Sequence, residues 1–271
     1  MIRHLSSGRG LAVFTLACAI LAAPALAETL VLNPVKDNTL FEEDPALSNG
    51  SGQHLFAGKI AFGPRRRALL QFRLPSPALF PAGAQVTDVR LRLAMSKTIA
   101  GQVFVTVHPL ERHWGEAGSD APGAEGAGAP AMMGDATWSD SFFEISSWDR
   151  PGGDYEFFPI AWALVGEPGF YTFEELPGMR QQVLEAMLRP GRNFGWVLIG
   201  DETSNATAKR FDSREHPDPE RRPQLIIEYT VPAGGRPLDT IRPSLTPVAP
   251  AVPQPRRGVL EPLGGSRLRG S

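Results

Sequence analysis

The chain has 271 residues, a formal net charge of −2, one cysteine and 26 prolines. Two arginines precede residue 28, and six arginines against two acidic residues follow Thr230, which leaves a net charge of about −8 for the residues between. Nonspecific nucleic-acid binding depends on cationic contacts to phosphates, so no nucleic-acid partner is expected. Because Cys18 lies in the N-terminal leader, the rest of the chain offers no disulfide framework, thiolate metal site or cysteine nucleophile.

The first 27 residues have the pattern of a secretory signal peptide. Arg3 and Arg9 precede an apolar run over residues 11–23, and small residues stand immediately before Glu28. Cleavage is predicted between Ala27 and Glu28, which indicates an exported protein in the periplasm or outside the cell. No membrane span is expected in the mature chain, since no later apolar run is long enough.

Short segments with alternating polar and apolar residues dominate the next two hundred positions and predict strands. Strands are predicted over residues 28–34, 54–58, 68–74, 88–93, 103–108, 194–200, 208–212 and 223–229. The polar segments 37–40 and 44–52 are predicted as a long loop, and the Gly- and Ala-rich segment 115–134 as a mobile loop with little to bury. One helix is predicted over 174–188, where Met179, Val183 and Met187 share a stripe.

The last patterned segment, 223–229, organises the predicted fold. Leu225, Ile227 and Tyr229 alternate with Gln224, Ile226 and Glu228, and the composition beyond them turns to Pro, Gly and Arg. Such a terminal strand is expected to close a sheet beside a strand from the start of the domain. The expected fold is all-β: a single β-sandwich, jelly-roll-like, over residues 28–230, with one short helix, a disordered tail over 231–271 and a monomeric state.

An ordered series of short motifs runs through the same residues. The segments are 37–40 (DNTL), 67–72 (RALLQF), 81–86 (PAGAQV), 90–93 (RLRL), 114–116 (WGE), 134–138 (GDATW), 148 (W), 151–154 (PGGD), 193–196 (NFGW) and 211–215 (FDSRE). The series resembles the DNRLRE domain family, which is related to a domain of archaeal disaggregatases and to alginate-associated carbohydrate-binding modules. The resemblance implies a β-sandwich module of the kind found on secreted and cell-surface proteins, sometimes beside polysaccharide-active enzymes.

Three arginines are candidate ligand-binding residues. Arg73, Arg90 and Arg92 each alternate with apolar positions, so a basic ladder on one sheet surface is a hypothesis, and guanidinium groups suit carboxylate-bearing glycans. The alternative is a solvated outer face on which the arginines pair with residues such as Asp88 and Glu228.

Two tryptophans and the last charged turn complete the candidate set. Trp138 and Trp148 stand in a loop-rich segment, where exposed rings stack on sugars; the alternative is that they plug the end of the sandwich under the loops. Arg214 and Glu215 are either ligand contacts or a structural salt bridge that fixes the last turn.

No catalytic residue, metal-ligand set or cofactor is predicted. Asp135, Asp140, Asp149, Asp154 and Glu144 stand among Gly and Ser, as oxygen donors around calcium do, but not at the spacing of an EF-hand. A structural calcium therefore stays an open alternative. The sequence shows no phosphate-binding loop and no nucleophile elbow.

These observations favour an exported, non-catalytic module that binds polysaccharide, with an acidic glycan as one candidate ligand. Two alternatives stay open. One is a polysaccharide-degrading hydrolase or lyase, and the other is a structural or adhesive surface protein.

Overall fold

The computed structural model describes residues 26–232, and most of their regular structure is β-strand. The strands are β1 (Leu26–Leu32), β2 (Pro34–Phe41), β3 (Leu47–Ser48), β4 (His54–Lys59), β5 (Arg65–Phe72), β6 (Gln85–Thr98), β7 (Val103–Pro109), β8 (Ala129–Pro130), β9 (Asp140–Phe142), β10 (Ser146–Ser147), β11 (Ala161–Val165), β12 (Gly169–Glu175), β13 (Trp196–Ile199), β14 (Lys209–Asp212) and β15 (Gln224–Val231). The helix α1 is Met179–Leu188, and 3-10 turns cover Pro77–Leu79, Pro190–Arg192 and Pro219–Arg221. The predicted tail from residue 233, and the predicted signal segment up to residue 25, lie outside the described residues.

Eight antiparallel strands close into a barrel-like ring. Their order is β6, β12, β11, β7, β13, β5, β4 and β14, and β14 pairs with β6 again. The predicted all-β class with one helix is confirmed. A sandwich would keep two separate sheets, but here short pairings join them at both edges: β11 with β12, and β4 with β5.

The long strand β6 pairs with two different strands along one of its edges. Its first half pairs with β15, and its second half pairs with β14. On its far side β15 pairs with β1, so that Glu28 faces Tyr229. The prediction that the last strand lies beside the first is confirmed, but the pairing that closes the ring is that of β14 with β6. The last two residues of the predicted signal segment, Leu26 and Ala27, pair with Val231 and Thr230.

The main core fills the ring. Alternate residues of β6 (Val89, Leu91, Leu93) are fully buried, and so are Leu225 and Ile227 of β15. Alternation of this kind places every second side chain on the same face of a strand, as predicted.

A second core lies on the outer face of the β2, β5 and β13 strands, under the loops of segment 110–155. It contains Leu40, Leu69, Leu110, Trp114, Ala136, Trp138, Trp148 and Val197. Segment 115–134 is therefore not an unpacked loop, contrary to the prediction. Ser119, Ala121 and Glu125 are buried, and Asn49 accepts a hydrogen bond from the Ala121 N–H at 3.0 Å.

The prediction of a polar loop over residues 37–40 is wrong, because these residues form the second half of β2. Asp37, Asn38 and Thr39 are fully buried. The Asn38 side-chain oxygen accepts hydrogen bonds from the backbone N–H groups of Thr39 at 2.7 Å and Asn49 at 3.0 Å. The buried residues of this part of β2 are polar instead of apolar, because their side chains form hydrogen bonds with backbone groups of the neighbouring loop.

The helix begins five residues later than predicted. Residues 174 and 175 end β12, and Gly178, whose φ is 128°, stands immediately before the first helical residue. That conformation lies outside the helical region, so the helix starts at Met179. The buried stripe of Met179, Val183 and Met187 is confirmed.

Among residues 26–232, no helix has the length and apolarity that crossing a membrane requires.

Candidate functional site

The structure separates the three candidate arginines. Arg90 and Arg92 lie on β6, whereas Arg73 follows the end of β5, and two strands of the ring, β4 and β14, lie between β5 and β6. Arg90 pairs with Asp88 at 3.0 Å and with Glu228. Arg92 contacts neutral groups: it donates to Gln224 at 3.0 Å, and its guanidinium lies 4.0 Å from the centre of the Phe170 ring. The three residues do not form one ladder.

The candidate tryptophans lie beneath the loops. Trp138 is 7% exposed and Trp148 is 5% exposed. The Trp148 indole N–H donates to the Thr137 carbonyl at 2.9 Å, and the guanidinium of Arg67 lies 4.9 Å from the Trp138 ring. Both rings fill the second core, so their position is the one described by the alternative interpretation, the plug under the loops.

The acidic residues considered for calcium act in separate local contacts. Asp135 accepts from the N–H groups of Ala117 at 2.6 Å and Met132 at 2.9 Å. Asp154 accepts from the N–H of Arg150 at 2.8 Å and pairs with Arg112 at 2.8 Å. These carboxylates hold loops.

A different group of acidic residues converges, and we name it the carboxylate cluster: Asp37, Glu116 and Glu215. Asp37 comes from β2, Glu116 follows Trp114 in the long loop, and Glu215 lies in the turn after β14. One oxygen from each carboxylate lies within 4.8 Å of the others. Segments that are far apart in the chain thus bring three negative charges to one place.

Arg214 holds this cluster together. Its guanidinium binds both oxygens of Glu116, at 3.0 and 2.9 Å, and lies 2.9 Å from Glu215. Its backbone N–H donates to Asp37 Oδ2 at 2.8 Å, while the Asp37 N–H donates to Glu116 at 2.7 Å. The predicted pair Arg214 and Glu215 is therefore part of a larger network that ties β2 to the last turn.

Burial shifts the pKa values of this group. Removal from water raises the pKa of Glu116 to about 7, although the pairing with Arg214 opposes the shift. Burial, reinforced by the neighbouring charges of Glu215 and Glu116, raises the pKa of Asp37 well above its usual value. Burial lowers the pKa of Lys36 to about 8; this ammonium donates to the Trp114 carbonyl oxygen and lies 4.2 Å from the centre of that indole ring.

A second charged group fixes the same turn from the other side. Asp212, fully buried, pairs with Arg221 at 2.7 Å, and His54 Nε2 lies 3.7 Å from its carboxylate. His54 Nδ1 lies 3.1 Å from Glu125. These contacts anchor β14 to β4 and to the 115–134 loop.

An open groove lies on the outside of the barrel where two strands separate. Pairing of β11 with β12 stops after Ala161–Glu175 and Trp162–Glu174. The groove beyond encloses about 390 Å³ and is lined by Phe104, Trp162, Ala163, Leu164, Tyr171, Thr172 and Glu174. We name it the aromatic groove.

Of the aromatic residues of this groove, Phe104 is exposed, whereas Trp162 and Tyr171 are half-buried. Phe104 is 58% exposed, and its ring meets that of Trp162 edge to face, with the centroids 5.2 Å apart. The Tyr171 hydroxyl donates to the Glu167 carbonyl at 2.6 Å and accepts from the Gly166 N–H at 3.0 Å, which fixes the hairpin turn beside the groove. Thr172, which lines the groove, is the cross-strand partner of Arg92, which is not itself a lining residue.

Sequence reasoning missed both assemblies. Asp37 and Glu116 belong to motifs that were noted, but only the strand pairing shows that they meet Glu215. Residues 161–165 alternate between small or branched buried residues and the outward Trp162 and Leu164, and this pattern was the available signal for the groove.

In comparisons with known proteins, the chain matches no protein-family model, and no curated protein matches it.

Proposed function

We propose that this protein is an exported, non-catalytic module that binds polysaccharide in the aromatic groove. The contact between the exposed Phe104 and the half-buried Trp162 carries the proposal. Aromatic side chains bring a large apolar area at small entropic cost, and their faces match the apolar faces of sugar rings. The resemblance of the motif series to the DNRLRE family supports the same function.

Arg92 gives the groove a second property. It lies opposite Thr172 and stacks on Phe170, so a carboxylate on a bound sugar finds a guanidinium at the rim. Glu174, at the other side of the pairing, supplies an acceptor for sugar hydroxyl groups. We propose that stacking on Trp162 provides the affinity and that Arg92 provides a preference for acidic chains.

The geometry of the carboxylate cluster does not favour the alternative function, a polysaccharide hydrolase. Glycosidases place two carboxyl groups about 5–10 Å apart on either side of the scissile bond. In the cluster the oxygens lie within 4.8 Å, Asp37 is fully buried and both oxygens of Glu116 bind Arg214. That arrangement leaves no room for a sugar between the carboxylates.

Affinity electrophoresis and calorimetry test the proposal with neutral and acidic polysaccharides, including alginate and pectate. Trp162→Ala is expected to weaken binding of every bound polysaccharide at least tenfold, and Arg92→Gln only that of the acidic ones. Phe62→Ala is the matched control, because Phe62 is 93% exposed and lies outside the groove. Failure of the wild-type protein to bind any polysaccharide in the panel, or binding that survives Trp162→Ala, contradicts the proposal.

A further inference from the structure

We propose that the carboxylate cluster is a binding site for a hard divalent cation, with calcium as the ion it takes. The inference concerns Asp37, Glu116 and Glu215 and is independent of glycan binding in the aromatic groove. The cluster meets the first requirement for a cation site, because oxygen atoms from three residues approach one point within 4.8 Å of one another.

A buried oxygen without a donor points to a missing ligand. Asp37 is fully buried, and its Oδ2 accepts from the Arg214 N–H, but its Oδ1 has no hydrogen-bond partner among the described residues. Leaving a buried carboxylate oxygen unsatisfied is costly, and native structures fill such positions with a proton, a water or an ion.

The charge balance favours a divalent ion. Of the described cationic side chains, Arg214 is the one in ion-pair contact with the cluster. The ammonium of Lys36 is directed to the Trp114 carbonyl oxygen instead. When all three carboxyl groups are ionised, as a cation requires of its ligands, they and one guanidinium leave two negative charges, which one divalent cation neutralises.

The donor atoms select the class of ion. All of them are carboxylate oxygens, and the Ser213 hydroxyl lies 3.2 Å from Glu215. Oxygen-only donor sets suit calcium, magnesium and manganese, whereas zinc and copper sites use imidazole or thiolate ligands. Calcium tolerates irregular geometry and completes its shell with water, which fits a site whose protein ligands come from a strand, a loop and a turn.

Bound calcium would join parts of the chain that are distant in sequence. Asp37 belongs to β2, Glu116 follows the second-core residue Trp114, and Glu215 closes the turn after β14. The ion would therefore stabilise the contact between the second core and the barrel, and its loss would be detected as a lower melting temperature.

The test uses the full chain, stripped of metals with a chelator and then titrated with calcium. Tryptophan-sensitised terbium luminescence reports occupancy close to Trp114, and thermal unfolding reports stabilisation. Asp37→Asn and Glu215→Gln are each expected to weaken calcium binding at least tenfold and to abolish the calcium-dependent rise in melting temperature. Asp149→Asn is the control, since this carboxylate is 79% exposed and pairs with Arg112 outside the cluster.

Two results overturn the proposal. The first is a wild-type melting temperature that does not respond to calcium, magnesium or manganese well above about 1 mM, the weak end of extracellular calcium sites. Together with a more stable Asp37→Asn variant, it would show that Asp37 and Glu215 share a proton instead. The second is terbium luminescence that calcium displaces equally from the wild type and from both cluster variants. If Asp37→Asn fails to fold, the proposal is tested by calcium binding to the Glu215→Gln variant, whose substituted residue is partly exposed, and by terbium competition in the wild type.

Discussion

Truncation of Leu91 tests the orientation of the central strand β6. Leu91 is fully buried in the main core, with Leu225 of β15 and Phe173 of β12 as its cross-strand partners. Leu91→Ala removes buried methyl groups and leaves a cavity that neighbours on both sides cannot close without moving their strands. Core substitutions of this kind cost about 2–5 kcal/mol, and we expect about 3–4 kcal/mol here. For a domain of this size that free energy lowers the melting temperature by roughly 7–14 °C.

Arg92→Ala on the same strand is the matched comparison. Arg92 points outward and loses one hydrogen bond to Gln224 and a contact with the Phe170 ring. Exposed contacts of these kinds contribute about 1 kcal/mol or less. Urea denaturation of both variants measures the two free energies of unfolding. Equal losses would refute the reasoning, because they would mean that the two side chains do not lie on opposite faces of β6.

Two further predictions concern the backbone and the dependence on pH. Gly195 has a φ of 80°, and a Cβ on it would overlap the Leu70 carbonyl oxygen, so Gly195→Ala is expected to cost more than about 2 kcal/mol in thermal unfolding; a neutral effect would contradict this geometry. Burial lowers the pKa of His108, whose Nδ1 lies 2.9 Å from the Glu156 carbonyl oxygen. The unfolded chain therefore binds a proton at higher pH than the folded one, so this residue costs stability as pH falls below about 6.5. The loss of stability between about pH 7 and pH 5 should be smaller in His108→Gln than in the wild type, and identical slopes would exclude a role for this histidine.

The strands with clear alternation could be predicted from the sequence because one physical effect determines them. In β15 every second residue is buried, β6 follows the same alternation over residues 89–93, and the burial of apolar side chains sets the face. The pairing of β15 with β1 followed from the same pattern. Closure of the ring did not, because it depends on two residue pairs at each corner, which leave no periodic signal.

Strand β2 was not predicted because several of its buried side chains are polar. Asn38 and Thr39 replace hydrophobic packing with hydrogen bonds to the Thr39 and Phe56 N–H groups, and such residues are typical of turns when they are read locally. The carboxylate cluster depends on the same strand. Asp37 reaches Glu116 and Glu215 only when β2 is a strand. The sequence motifs therefore contained the three residues but did not show that they lie close together.

The contacts of the arginines distinguish those that are paired with carboxylates from Arg92, which is not. Arg67 is occupied by Glu202 and the Gly152 carbonyl, Arg90 by Asp88 and Glu228, and Arg214 by the carboxylate cluster. A guanidinium already paired with a carboxylate must break that pair before it binds another, and buried pairs are costly to break. Arg92 instead contacts an amide and an aromatic ring, so its charge is not neutralised by these neighbours, and it lies opposite Thr172 of the aromatic groove. Under the proposed function, the affinity for an acidic glycan should depend on Arg92 and decrease with added salt, although the domain as a whole is acidic.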